Sequence, residues 1–258
     1  MNDKEPRILF FDIESLTDTR EVLKVFPSLS DYPGRTLKAQ LNSVICFGYK
    51  WLGSPVKVLN AWDYKERWRR DVNDDFAIVR EAMEQLWRAD VVVTFNGKKF
   101  DWKFLSTRAM KHGFGPLPKV MHVDLCQESK KHLFLYNNRL GNVAEFLTGE
   151  SKLKHSGWDL WVDVHAKKAS AMRKMSAYCA KDVELLVPIF KRMRPWLRLP
   201  NYNMYTSPKS KPVCPNCGST RLKRHGLRVA DSKIYTRYQC KDCLTCSREH
   251  KGLDRKSL

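Results

Sequence analysis

Residues 7–16 read RILFFDIESL. The apolar run Ile8-Leu9-Phe10-Phe11 leads straight into Asp12-Ile13-Glu14. Such a run is the body of a buried strand, where an uncompensated carboxylate is costly. Side chains alternate across a strand, so Asp12 and Glu14 share one face and Ile13 takes the other. The pair then projects from the end of a strand whose body is buried. A strand running out into solvent before a helix cap would look the same. A lone D-x-E therefore decides nothing until other carboxylates are found to join it.

Outward from that strand, further strand-like segments recur at 43–50 (SVICFGYK), 56–62 (VKVLNAW) and 91–95 (VVVTF). Between the last two, DDFAIVREAMEQLWRA at 74–89 places Phe76, Val79, Met83, Leu86 and Trp87 on a helical period. A second helix is expected over about 101–112, ending before Gly113. KVMHVDL, 119–125, reads as a strand passing into a helix. From 167 to about 193 the period is helical again, with Pro188 as a point of kinking. Strands first, then strands mixed with helices, predict an α/β chain: a mixed sheet with helices packed on it.

Two of these elements carry acids where apolar residues belong. Asp101, in NGKKFDWKF, falls near the start of a helix that follows a buried strand, a position that also suits a simple first-turn acid. In YCAKDVELL, Tyr178 and Asp182 are four apart and share a helix face with Met175, Val183 and Leu186. A tyrosine and an aspartate on a core-facing stripe call for a function.

D-x-E on the first strand, N-G-x-x-F-D after an apolar strand, and Y-x-x-x-D on a late helix resemble, in order and local setting, the three motifs of DEDDy-type 3′–5′ exonucleases. Those include the proofreading domains of family B DNA polymerases. The resemblance covers roughly residues 5–195 and implies an RNase H-like fold. Carried over position by position, it gives Asp12, Glu14, Asp101 and Asp182 the metal-binding role and Tyr178 the orienting of the attacking water. Elementary electrostatics agrees: two bare carboxylates about 4 Å apart repel by about 4 kcal/mol at an effective dielectric near 20. Four cannot cluster at neutral pH without cations or retained protons. Oxygen donors with no nearby histidine select two magnesium or manganese ions rather than zinc. Such a pair can stabilise the attacking and leaving oxygens of a phosphoryl displacement. Tyrosine, with an ordinary pKa near 10, is a poor general base at pH 7. In the loop before Asp101, Lys98, Lys99 and Phe100 are candidate substrate contacts. Asn96 is read as tying the turn beneath Asp101, and Asp124 as a helix cap.

The chain's other end reads C-x2-C-x22-C-x2-C over residues 214–243. Two close cysteine pairs joined by a hairpin make a tetrahedral thiolate site, assigned as one structural zinc on Cys214, Cys217, Cys240 and Cys243. Cys246 is a rival for the place of Cys243. The segment resembles zinc ribbons, some of which bind nucleic acid. Arg221, Lys223, Arg224 and Arg237, with Tyr235 and Tyr238 interleaved, are candidate contacts to phosphate and base.

The 258 residues therefore divide into an expected exonuclease domain (1–196), a linker (197–212, broken by three prolines) and a zinc ribbon (213–258). Net charge is +19. Residues 201–258 hold 13 Lys+Arg against 4 Asp+Glu, the densest positive stretch, which points to a polyanionic partner. No apolar run is long enough for a membrane span, and MNDKEPR lacks the apolar segment of a signal peptide. A cytoplasmic, reducing setting follows, in which cysteines hold metal rather than disulfides; the resemblance to stand-alone exonucleases points to a bacterial or phage-infected cell. The expected activity is metal-dependent 3′–5′ hydrolysis of a single-stranded nucleic-acid end, DNA ahead of RNA. The competing readings are an RNase H-like endonuclease or recombination nuclease, and a non-catalytic DNA-binding adaptor. An adaptor would be marked by a lost carboxylate, and all four are present.

Overall fold

β1 (Ile8–Leu16) is the middle strand of a five-stranded sheet of order β3-β2-β1-β4-β5. In this computed structural model, residues 5–16, 42–153, 158–202, 213–230, 233–249 and 252–254 are described. The chain divides into two compact units, Arg7–Ile189 and Phe190–Leu258 with Met1–Pro6.

In the first unit β2 (Ser43–Trp51) pairs antiparallel with β1, and β3 (Lys57–Asn60) antiparallel with β2. On the other side β4 (Val91–Thr94) and β5 (Met121–Asp124) run parallel to β1. The expected mixed sheet is thus present. Between β3 and β4 lie a 3-10 turn (Ala61–Tyr64), α1 (Lys65–Arg70) and α2 (Phe76–Trp87). α3 (Asp101–Lys111) follows β4, and α4 (Leu125–His132) follows β5. α5 (Leu140–Thr148), α6 (Trp158–His165) and the long α7 (Ala169–Met193), whose residues up to Ile189 belong here, complete the unit.

The strand expected over 56–62 is shorter than its apolar pattern. The Asn60 side chain accepts from Trp62 N at 2.8 Å while Asp63 accepts from Asn60 N at 2.9 Å. This reciprocal cap turns the chain into the 3-10 helix before the strand can continue. Asp124 caps α4 as expected, accepting from Cys126 N at 3.0 Å and Gln127 N at 3.3 Å. Its other bonds, from Asn96 N at 2.8 Å and Lys98 N at 3.1 Å, fix the loop between β4 and α3.

Leu9, Phe11, Ile13, Val44, Phe47, Val79, Leu86 and Met175 form the buried core between sheet and helices. α7 reaches the sheet at Gly48, which pairs with Asp12 in the β1–β2 ladder. A methyl group added there would stand 2.7 Å from Cys179 Sγ and 3.0 Å from Val183 Cγ2, so only glycine lets α7 come this close. The far end of α3 is held by fully buried Asp75, which accepts from Arg108 Nε at 2.6 Å, Arg108 Nη2 at 2.7 Å and Val44 N at 2.9 Å.

The second unit holds an antiparallel sheet of β6 (Leu222–Val229), β7 (Lys233–Cys240) and β8 (Cys246–Arg248), with β9 (Leu253–Asp254) also on β7. Most of the expected linker, 203–212, lies outside the described residues. Its first part packs on the cysteine knuckle: Tyr202 is buried, donates its backbone N–H to Pro215 O at 2.9 Å, and accepts from Arg194 Nη2 at 2.7 Å.

Candidate functional site

β1 and β4 stay paired only from Ile8 to Phe10. Beyond that point β4 ends and the chain turns through Asn96, in the left-handed region at φ 65°, into α3. The edge of β1 facing that turn is left with an N–H to satisfy. Asp101, the first residue of α3, fills the gap: its Oδ1 accepts from Ile13 N at 3.1 Å, between Asp12 and Glu14. The crevice outside the carboxyl ends of β1 and β4 therefore gathers three acids, and open α/β sheets place sites at such ends. α7 supplies the fourth, Asp182, and Tyr178 one turn before it.

The four carboxylates feel one another. Asp12 is pushed well above the usual aspartate range, first by burial and then by Asp101, Glu14 and Asp182. Glu14 is pushed up to about 8 by burial and Asp182. Asp101 rises to about 7, burial outweighing the hydrogen bond from Ile13 N. A site that keeps protons on its acids near neutral pH gains from any dication that displaces them. All the candidate donors on these acids are oxygens, which fits magnesium or manganese. Cys179 Sγ lies within 4.8 Å of Asp12 and Glu14 oxygens. Its thiol is fully buried, pushed well up by that burial and by Asp12, and donates to Asp12 O at 3.8 Å, so it acts as packing rather than as a ligand.

One member of the site escapes the motif reading. Lys152 follows α5; its Nζ lies 2.6 Å from Asp182 Oδ2, donates to Tyr178 Oη at 2.8 Å, and sits 4.9 Å above the Tyr178 ring. Burial opposes its charge, but Asp182 and the Tyr178 hydroxyl hold it protonated above the ordinary lysine value. The neighbouring Glu150–Lys181 ion pair, at 3.0 Å, ties the same segment to α7. Tyr178 itself is pushed up to about 12, chiefly by burial and Asp182. Its phenol stays protonated at any working pH. In the sequence, Lys152 is one of two lysines in SKLKH, and nothing local sets it apart.

The other predicted contacts are spread around this centre. Lys98 and Lys99 are exposed on the loop that Asp124 fixes, and Phe100, 46% exposed, packs its ring 5.6 Å from Phe104. Between α4 and α5, Phe134 and Tyr136 stand almost fully in solvent with ring centroids 5.9 Å apart, an aromatic pair that no motif marks in the sequence.

In the second unit Cys214, Cys217, Cys240 and Cys243 bring their sulfurs within 4.8 Å of one another. Cys214–Cys243 and Cys217–Cys240 are each 3.6 Å apart. A tetrahedron with Zn–S bonds near 2.3 Å has edges of about 3.8 Å, so the cluster fits zinc. Cys246, the rival for the place of Cys243, stands outside the cluster, exposed on β8. Arg221 pairs with Asp242 at 2.8 Å, and Lys223, Arg224 and Arg237 are exposed on β6 and β7.

A profile of the RNase H superfamily (RNase_H_2) matches residues 31–194. The chain belongs to the RNase H superfamily. A solved family B DNA polymerase from the hyperthermophilic archaeon Pyrobaculum calidifontis shares the fold, with TM-score 0.57 and 15% identity over 89% of this chain. The chain spans 32% of that polymerase. No curated protein matches it in sequence. Within the RNase H fold the acids lie where β1, the start of α3 and α7 meet.

Proposed function

We propose that the chain is a metal-dependent 3′–5′ exonuclease that hydrolyses phosphodiester bonds at nucleic-acid ends, DNA in preference to RNA. The observation that carries this reading is the convergence of Asp12, Glu14, Asp101 and Asp182 from three elements into one crevice, where burial first, and then neighbouring carboxylates, keep protons on Asp12, Glu14 and Asp101. Two divalent cations held by these carboxylates would neutralise the crevice and stabilise charge on the attacking and leaving oxygens.

The remaining steps belong to the chain's own groups. Lys152 donates to the Tyr178 oxygen, which directs the phenol's proton away from the lysine. Tyr178, protonated throughout, is then a hydrogen-bonding post that orients a water for in-line attack and does not abstract its proton. Lys152 adds a fixed positive charge beside a phosphate that gains negative charge in the transition state. Phe100, Phe134 and Tyr136 offer rings on which unpaired bases stack. The tyrosine–lysine pair favours this reading over an endonuclease of the same superfamily, since four carboxylates alone would serve either.

The test uses a 5′-labelled single-stranded DNA and a matched RNA with manganese or magnesium. A ladder shrinking from the 3′ end, absent with Asp12→Ala, is expected. Internal cuts lost in Asp12→Ala would assign an endonuclease instead; no cutting with binding intact would leave an adaptor.

A further inference from the structure

The register of the small sheet separates its side chains into two unlike faces. Residues opposite one another in an antiparallel pair lie on the same face. Arg228 pairs with Tyr235, Lys223 with Gln239, Arg237 with Arg248, and Gln239 with Cys246. Along β7 the alternation adds Lys233 to Tyr235 and Arg237. One face therefore carries Lys223, Arg228, Lys233, Arg237 and Arg248, all exposed, with Asp254 of β9 opposite Lys233. The opposite face carries Leu227, Val229 and Ile234, with Tyr238 and Arg224 paired beside them.

The first face keeps its cations free of carboxylate partners along β6 and β8, while Arg221, off it, is engaged. Lys223, Arg228, Arg237 and Arg248 make no ion pair among the residues whose side chains are described. Arg221 is bound to Asp242. On the opposite face Glu249 is held below its usual range by the Tyr238 hydroxyl first, with Thr236 and Arg224 contributing. Neither tyrosine is open for stacking. Arg248 covers the Tyr235 ring at 3.9 Å, and a methyl group at Gly252 would stand 2.7 Å from the same ring, so backbone lies against it. Tyr238 donates to Glu249 at 2.8 Å. Residues two apart on a strand are about 7 Å apart, comparable to the step between phosphates along a nucleic-acid strand.

We infer that the face bearing Lys223, Arg228, Lys233, Arg237 and Arg248 grips the sugar–phosphate backbone of double-stranded nucleic acid without reading or stacking its bases. Single-strand binders rely on exposed rings as well as charge, and this face has charge alone. The ribbon would hold paired nucleic acid, while an unpaired 3′ end is the proposed substrate of the first unit. The inference rests on the nucleic-acid reading of the first unit, but its test does not require cleavage.

The full zinc-loaded chain, without magnesium or manganese, is titrated with a random-sequence 24-base-pair duplex and with its single strand over a salt series. Each phosphate contact contributes about −0.9 to the slope of log K against log salt for duplex. Arg228→Gln/Arg237→Gln/Arg248→Gln is expected to flatten the duplex slope by about 2–3 and weaken binding at least tenfold near 0.15 M salt. Arg221→Gln/Arg224→Gln should leave the slope unchanged. Zinc content, measured by thiol titration, shows that each variant keeps its fold. Cys246, the one exposed cysteine, lies on the inferred face, so its thiolate should attack a mixed disulfide tethered to a duplex phosphate, forming a new disulfide with the tether and expelling the outer thiol, and Cys246→Ser should not be captured. An unchanged slope in the zinc-bound triple variant, tighter binding of single strand than duplex, or no capture by Cys246 would overturn the inference. A trinucleotide with no duplex for the ribbon to hold reports separately on cleavage with manganese. If wild type leaves it intact while the slope change stands, the nuclease reading fails and the ribbon's does not.

Discussion

Glu14→Gln should make the metal-free protein more stable, and by an amount that grows with pH. Glu14 titrates at about 8 in the folded chain against an ordinary 4.5. Its proton is held more tightly folded than unfolded, so the native state binds more protons between these values. Stability is then lost as pH rises from about 4.5 through 8. Working the two titrations through gives a cost of about 1 kcal/mol at pH 5 and about 4 kcal/mol at pH 8. Glutamine keeps the shape and cannot ionise. For a chain of this size, about 2–4 °C per kcal/mol predicts a gain of roughly 8–16 °C in Tm at pH 8 and a few degrees at pH 5. The assay is thermal unfolding of zinc-loaded protein dialysed free of other divalent ions, at both pH values. Manganese should raise the wild-type Tm more at pH 8 than at pH 5, and raise it less in Glu14→Gln. A variant no more stable than wild type at pH 8, or equally stabilised at both pH values, would refute the account of a crowded, proton-holding crevice.

Lys152→Met should cut kcat about a hundredfold with KM little changed, because it removes a fixed charge and the partner that orients Tyr178; steady-state cleavage of a labelled oligonucleotide measures it, and Lys152→Arg should recover part of the loss. Gly48→Ala should cost about 1–3 kcal/mol, since its methyl group meets Cys179 and Val183 on α7. Chemical denaturation reads the stability, and kcat should fall too, because Tyr178 and Asp182 ride on the helix that must retreat.

Much of this was legible in the sequence because it is written in local periods. Strand parity put Asp12 and Glu14 on one face, and helical spacing put Tyr178 with Asp182. The C-x2-C pairs specified a thiolate cluster whatever lay between them. What stayed hidden depends on pairs distant along the chain. Lys152 reaches a tyrosine 26 residues away from a segment without period. Asp75 looks like one acid in NDDF until Arg108, 33 residues on, arrives against it. The two faces of the ribbon emerge only once the register is known, since a bulge between Arg224 and Leu227 breaks the parity that sequence alone would extrapolate. Even the shortened β3 follows from one asparagine's side chain outcompeting a strand that its apolar neighbours favour.

The central place of β1 has a consequence for the order of assembly. Its antiparallel partner β2 is near in the chain, but Arg7 at its start bonds Asp90 across 83 residues, and Asp12 O meets Cys179 across 167. Contacts of such separation form late, after the loop entropy between them has been overcome. The proposed cleavage competence therefore waits for the docking of α7 on β1. Helical signal and a partly formed sheet should return while the crevice is still open, so the proposed nuclease is inactive until α7 has docked.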